Sequence, residues 1–182
     1  GDITAVDVTS GQMIWQTPTQ SSLIYDDTFF LKTSAIVADK NAVYLSNNKG
    51  SFFSLDINTG LLNWKQNIQS NLRSTIIDNY IFTISDKGYL FIMDKISGNI
   101  IRITDIFKSM KSKKRKKIKP TGFIVAKKNI YLTTNNGRLL LIDIKTGKTK
   151  STLKIDNEKI LRPMVLNNSL FIATENSIIK LN

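Results

Sequence analysis

GSFFSLDINTGLLNW, Gly50 to Trp64, decides the fold, because nearly the same phrase stands at the start of the chain as GDITAVDVTSGQMIW, Gly1 to Trp15. The shared frame is G-x-x-x-x-x-D-x-x-[TS]-G. It occurs four times, at Gly1/Asp7/Gly11, Gly50/Asp56/Gly60, Gly88/Asp94/Gly98 and Gly137/Asp143/Gly147, with starts 49, 38 and 49 residues apart. A decayed fifth copy begins at Asn176 in NSIIKLN, where Asn replaces the leading glycine. Both residue types tolerate left-handed backbone.

Between the first Gly and the Asp the residues are apolar on both faces of a strand. Phe53 and Leu55 oppose Phe52, Leu90 and Ile92 oppose Phe91 and Met93, and Leu139 and Leu141 oppose Leu140 and Ile142. Such a strand is sandwiched between two layers. The Asp-x-x-Thr/Ser-Gly run then predicts a hairpin turn, its carboxylate accepting from backbone N–H groups two or three residues on and its Gly supplying positive φ.

Upstream of the later copies lie two further strands and a turn: SAIVADKNAVYLSNN, STIIDNYIFTISD, TGFIVAKKNIYLTTNN and RPMVLNNSLFIATEN. Each is expected to turn at an Asn (Asn41, Asn79, Asn129, Asn168) and carries an aromatic in its second strand (Tyr44, Phe82, Tyr131, Phe171). Four antiparallel strands in a unit of about 40 residues, buried on both faces, make a propeller blade. The fold class is all-β, a β-propeller with about four blades present. The expected division is one partial propeller domain over 1–182: strands C and D at 1–20, blades at 33–70, 71–107 and 120–156, a basic loop at 108–119, and final strands A to C at 160–182. Because the chain opens with Gly at a third strand, it is expected to be half of a larger ring.

Ala5-x-Asp7-x-x-x-Gly11-x-x-x-Trp15 and Ser54-x-Asp56-x-x-x-Gly60-x-x-x-Trp64 resemble the tryptophan-docking motif of the quinoprotein, or PQQ-like, β-propellers. In that family the Trp of one blade packs on the next, a large apolar contact. The third and fourth copies carry Arg102 and Ser151 at the Trp position, so docking there must be weaker or differently built. GQMIWQ (Gly11 to Gln16), VYLSNNKGSFFSLDINTG (Val43 to Gly60) and GYLFIMDKISG (Gly88 to Gly98) are most similar to the C-terminal half of the lipoprotein branch that serves outer-membrane-protein assembly. That resemblance implies an eight-bladed ring, of which this chain is half, and a non-catalytic scaffold in the periplasm, peripheral to the outer membrane, with a lipid anchor further upstream. Its implied partners are the barrel-inserting subunit and unfolded outer-membrane proteins.

Composition bounds the rest. The chain has no Cys, no His and no apolar run of 18 residues. Lack of His removes Ser-His-Asp and Cys-His nucleophiles and imidazole metal ligands, and lack of Cys removes thiolate zinc sites. The recurring Asp7, Asp56, Asp94 and Asp143 occupy one motif position on successive blades, which suits turn capping rather than paired-carboxylate catalysis. No convergent quinone and Ca²⁺ ligand set is found, so no cofactor and no catalytic or metal site is assigned, although half of a PQQ-dependent dehydrogenase stays as the alternative from another class.

The net charge of +12 is carried by 21 Lys and only 5 Arg, beside 26 Ile and 17 Asn, a pattern of AT-rich coding rather than of bidentate phosphate readout. Seven of the 26 cations form one run: Lys111, Lys113, Lys114, Arg115, Lys116, Lys117 and Lys119. Like-charge blocks stay solvated and usually lack fixed structure, which makes a mobile, solubilising loop the plain expectation. The sharper one is contact with anionic lipid, an acidic protein patch or nucleic acid; no aromatic is interleaved, which disfavours stacking on single strands.

The 38-residue spacing is a compact blade, so each 49-residue spacing carries about 11 extra residues, placed at Thr17 to Lys32 and Asp105 to Lys119. Both follow a fourth strand and so emerge on one face, a mark of a binding face. The first holds SSLIYDDTFF, whose Leu23, Ile24, Tyr25, Asp26, Asp27, Phe29 and Phe30 are the candidate partner contacts, or else a roof over the blade below.

Overall fold

A computed structural model of the chain describes residues 1–19 and 31–181. It is all-β apart from one helical turn. β1 (Asp2–Val6) and β2 (Met13–Pro18) form a two-stranded sheet. Three four-stranded antiparallel sheets follow: β3 (Val37–Ala38), β4 (Ala42–Ser46), β5 (Phe52–Asp56), β6 (Leu62–Gln66); β7 (Thr75–Ile77), β8 (Tyr80–Ile84), β9 (Tyr89–Asp94), β10 (Ile100–Asp105); and β11 (Pro120–Ala126), β12 (Asn129–Thr134), β13 (Arg138–Asp143), β14 (Thr149–Lys154). β15 (Met164–Leu166), β16 (Ser169–Ala173) and β17 (Ile178–Leu181) make a last, three-stranded sheet. α1 (Ser112–Arg115) lies between β10 and β11. Strand order within every sheet is sequential, as meanders with short turns require.

The core lies between sheets, and side-chain alternation puts it there. In β9, Leu90 and Ile92 point into the layer shared with the β11–β14 sheet, while Met93 and the partly buried Phe91 point into the layer shared with the β3–β6 sheet. β5 divides likewise, Phe52 to one side and Phe53 and Leu55 to the other. β12 sends Ile130 and Leu132 toward β7–β10 and Tyr131 toward β15–β17. Each inner strand therefore feeds two cores, and a sheet with two apolar faces is stable only between neighbours. These are blades stacked flank to flank.

The repeated turn behaves as its chemistry predicts. One Asp56 carboxylate oxygen accepts from Asn58 N (3.0 Å), Thr59 N (2.8 Å) and Thr59 Oγ1 (2.9 Å), and Gly60 closes the turn by donating its N–H to the Asp56 carbonyl. Asp7, Asp94 and Asp143 repeat the arrangement in their own turns. The four carboxyls are held below the usual carboxylate range: by the Ser10 N–H at Asp7, the Thr59 hydroxyl at Asp56, the Ser97 N–H at Asp94 and the Lys150 ammonium at Asp143. A lowered folded-state pKa contributes stability above the unfolded value of about 4, and that stability fades as pH falls through the folded value. The urea midpoint should therefore drop between about pH 5 and pH 3. Asp56→Asn, which keeps an acceptor oxygen but cannot titrate, should flatten part of that slope; an unchanged slope would refute the assignment.

One turn departs from expectation. Between β11 and β12 the left-handed residues are Lys127 (φ 46°) and Lys128 (φ 65°), not Asn129. Asn129 already pairs with Ala126 in the ladder, and its Nδ2 donates to the Lys127 carbonyl at 3.2 Å. A type I′ two-residue hairpin needs φ > 0 at both centres, so the ladder register imposes that conformation on the lysines.

Candidate functional site

Blades are joined by one repeated contact. Trp15 Nε1 donates to the Ile57 carbonyl at 3.0 Å, and Trp64 Nε1 donates to the Lys95 carbonyl at 3.1 Å; each acceptor is the residue after the turn Asp of the next blade. The indoles lie against that turn's glycine. A Cβ built on Gly60 would stand 2.4 Å from Trp15 Cε3, and one on Gly98 2.5 Å from Trp64 Cδ2. Two residues beyond each Trp, a polar side chain finishes the joint: Thr17 Oγ1 donates to the Gly60 carbonyl (2.6 Å) and Gln66 Nε2 to the Gly98 carbonyl (2.9 Å).

Arg102 occupies the Trp position of the third copy and makes the same connection by different means. Its guanidinium donates to the Ile144 and Lys145 carbonyls of the next turn, so the acceptor position is kept while the indole is replaced by a fork. Thr104 packs on Gly147, whose added Cβ would lie 2.6 Å from Thr104 Cγ2. Arg102→Ala should cost about 1–3 kcal/mol in urea unfolding, since two carbonyls lose charged donors. Arg102→Lys, lacking the fork, should recover less than half; full recovery by Lys would show that charge alone matters. At the fourth copy Ser151 lies on β14, exposed along all six residues, and among the described residues it makes no such contact.

Antiparallel order places the turns β3–β4, β5–β6 and their equivalents on one face, and the turns β4–β5, β8–β9 and β12–β13 together with the inter-blade connectors on the other. The second insertion lies on that connector face, and it is not a free loop. Ile106, Phe107 and Ile118 are buried in the layer between the second and third full sheets, with Met110 packed against it. Arg115 turns inward: Nη1 pairs with Asp105 at 2.7 Å, Nη2 donates to Tyr89 Oη at 3.1 Å, and the guanidinium carbon sits 5.6 Å from the Tyr89 ring centroid. Asn135 staples the far end, its Oδ1 accepting from Lys119 N (2.8 Å) and its Nδ2 donating to the Lys117 carbonyl (3.0 Å). The mobile-loop expectation failed because it weighed only like-charge repulsion, whereas apolar anchors at both ends and an inward salt bridge hold the segment as α1. None of the anchors Tyr89, Asp105 and Asn135 stood out in the sequence, since they lie 10 to 26 residues from the cations they hold and no local pattern connects them.

Lys111, Lys113, Lys114, Lys116, Lys117 and Lys119 all remain exposed. Beside them opens a hollow of about 460 Å³ lined by Asp86, Lys87, Tyr89, Arg115, Lys116 and Lys119, in which burial pushes the Asp86 carboxyl up. The other candidate contacts, Leu23, Ile24, Tyr25, Asp26, Asp27, Phe29 and Phe30, lie outside the described residues. Among the described residues no group of three or more His, Cys, Asp or Glu could hold a metal ion, and no helix is long and apolar enough to cross a membrane.

Blades sharing two-sided cores and joined by indole-to-turn docking define a β-propeller of the PQQ-like class. The family profile of the outer membrane protein assembly factor BamB matches residues 1–104, and the chain belongs to that family. The BamB of Legionella pneumophila (strain Paris) is 25% identical over 142 residues, covering 76% of this chain and 32% of that protein. Among solved structures, BamB from Moraxella catarrhalis superposes with a TM-score of 0.69 at 17% identity, covering 100% of this chain and 52% of its own. The Cps50 (Swd1) β-propeller domain of Myceliophteria thermophila gives 0.69 at 11% identity over 94% of this chain and 55% of that one. The fold is thus that of a propeller, and the chain spans about a third of the curated relative and about half of the Moraxella structure.

Proposed function

We propose that this protein is a non-catalytic interaction scaffold of the machinery that assembles outer-membrane β-barrels, acting in the periplasm against the outer membrane and binding the barrel-inserting subunit. The observation that carries this reading is the family match over residues 1–104, which includes both Trp-docked joints and the first insertion. An interaction role also suits the layout: a blade-stacked body in which the second insertion stands on the connector face, as does the end of β2 from which the first departs. The partner contacts we assign are Leu23, Ile24, Tyr25, Asp26, Asp27, Phe29 and Phe30, apolar side chains around an acidic pair, among which Tyr25 is of a type enriched at hot spots.

Co-purification tests the reading. Full-length protein used as bait in detergent-solubilised envelopes should recover the barrel-inserting subunit, and replacing Leu23, Tyr25 and Phe29 together with Ala should release it while leaving the fold intact. Recovery of no barrel-assembly subunit would overturn the role. Saturable, stoichiometric uptake of PQQ with Ca²⁺ would overturn it in favour of a dehydrogenase.

A further inference from the structure

We propose that the 111–119 segment is a preformed electrostatic docking surface for a bilayer bearing anionic phospholipid. The inference goes beyond the scaffold role and does not depend on it.

Geometry carries it. Among the described residues none of the six exposed lysines of the segment is in an ion pair; the one cation that is paired, Arg115, is the one that fixes α1 to Asp105 and Tyr89. The segment therefore presents its charge without having to be ordered on binding. The segment is also the densest cluster of cations in the chain, seven within nine residues. Acidic groups lie on both faces, but of those beside the segment Asp105 is taken up by Arg115, and Asp86 lines the hollow next to Lys116 and Lys119. A cation cluster of this density meets a negative plane segment-first, and anionic lipid attracts each nearby Lys over about a Debye length.

The residue types select a diffuse planar charge over the rival partners. Flexible ammonium groups are point charges without the rigid fork used for bidentate recognition, and no aromatic lies in the segment for bases to stack on. An acidic protein would bring an apolar core to its interface, yet no large hydrophobic residue is exposed anywhere in residues 104–152. What the segment offers is a mobile set of cations on a rigid base, with the hollow beside Lys116 and Lys119 open to a headgroup phosphate.

The test is co-sedimentation of the full-length protein, freed of any lipid anchor, with vesicles of phosphatidylcholine alone or with phosphatidylglycerol added, across a salt series. Binding is expected only with phosphatidylglycerol and should fall steeply as salt rises. Converting Lys111, Lys113, Lys114, Lys116 and Lys117 to Gln should weaken it by at least about a hundredfold. The control converts Lys40, Lys127, Lys128, Lys145 and Lys148 to Gln: the same change in net charge, made at exposed lysines of the opposite face. It should retain most of the affinity. Equal loss in both variants, equal binding to neutral vesicles, or no binding to anionic vesicles at low salt each overturns the proposal. Because the substituted lysines are exposed, both variants should unfold at the wild-type urea midpoint. Failure of the co-purification above would leave this result unaffected, and the reverse also holds.

Discussion

Trp64→Ala is expected to lower the unfolding free energy by about 3 kcal/mol, toward the low end for truncating a core aromatic because the residue is only partly buried. The indole does three things at once. It stacks on Phe52 at 5.8 Å between ring centroids with 12° between planes, it meets Tyr44 at 6.1 Å, and it donates to the Lys95 carbonyl of the following blade. Tyr44 shares this layer, and its burial pushes the phenol up to about 12, so it stays neutral through the working range. Truncation opens a cavity between two blades and leaves the Lys95 carbonyl without its donor. Trp64→Phe should cost only about 1 kcal/mol, since stacking survives while the hydrogen bond is lost. Urea melts followed by circular dichroism measure both, and a loss under about 1 kcal/mol for Trp64→Ala would mean that the indole is not what ties these blades together.

Gly98→Ala attacks the same joint from the other side and should cost at least about 2 kcal/mol. Two penalties combine. At φ +72° an L side chain is strained by about 1–2 kcal/mol, and the new methyl would stand 2.5 Å from Trp64 Cδ2 on an indole held in place by Phe52 and the Lys95 carbonyl. The double variant Trp64→Ala/Gly98→Ala is the sharper measurement. With the indole gone the methyl has room and only the φ strain remains, so the double loss should fall short of the sum of the single losses by about 1 kcal/mol. Strict additivity would show that the glycine is required for backbone conformation alone.

Much of the architecture was legible because it repeats. Strand identity, the turn carboxylates and the order of incomplete and complete sheets all follow from one frame read four times, since each copy averages away local ambiguity. Single-copy features were less legible. Lys127 and Lys128 take left-handed conformations that neither residue favours, because ladder register outweighs intrinsic preference. The 111–119 run looked like a solvated block because its anchors, Tyr89 on the third strand of one blade and Asn135 in a turn of the next, are remote in sequence. Arg102 could be recognised as a departure from the Trp motif, but nothing local said that its fork would reach the same carbonyl position.

By itself the sequence determined that the chain is built of thin antiparallel sheets, each apolar on two sides, and that histidine and thiol chemistry are absent. Tertiary structure alone decided that Arg102 takes over the grip where the Trp motif lapses, and which cations stay exposed. The physical reason is range. Turn capping and strand alternation act over a few residues and leave a periodic trace, whereas docking and salt-bridge anchoring join groups tens of residues apart that become neighbours only after the sheets have stacked.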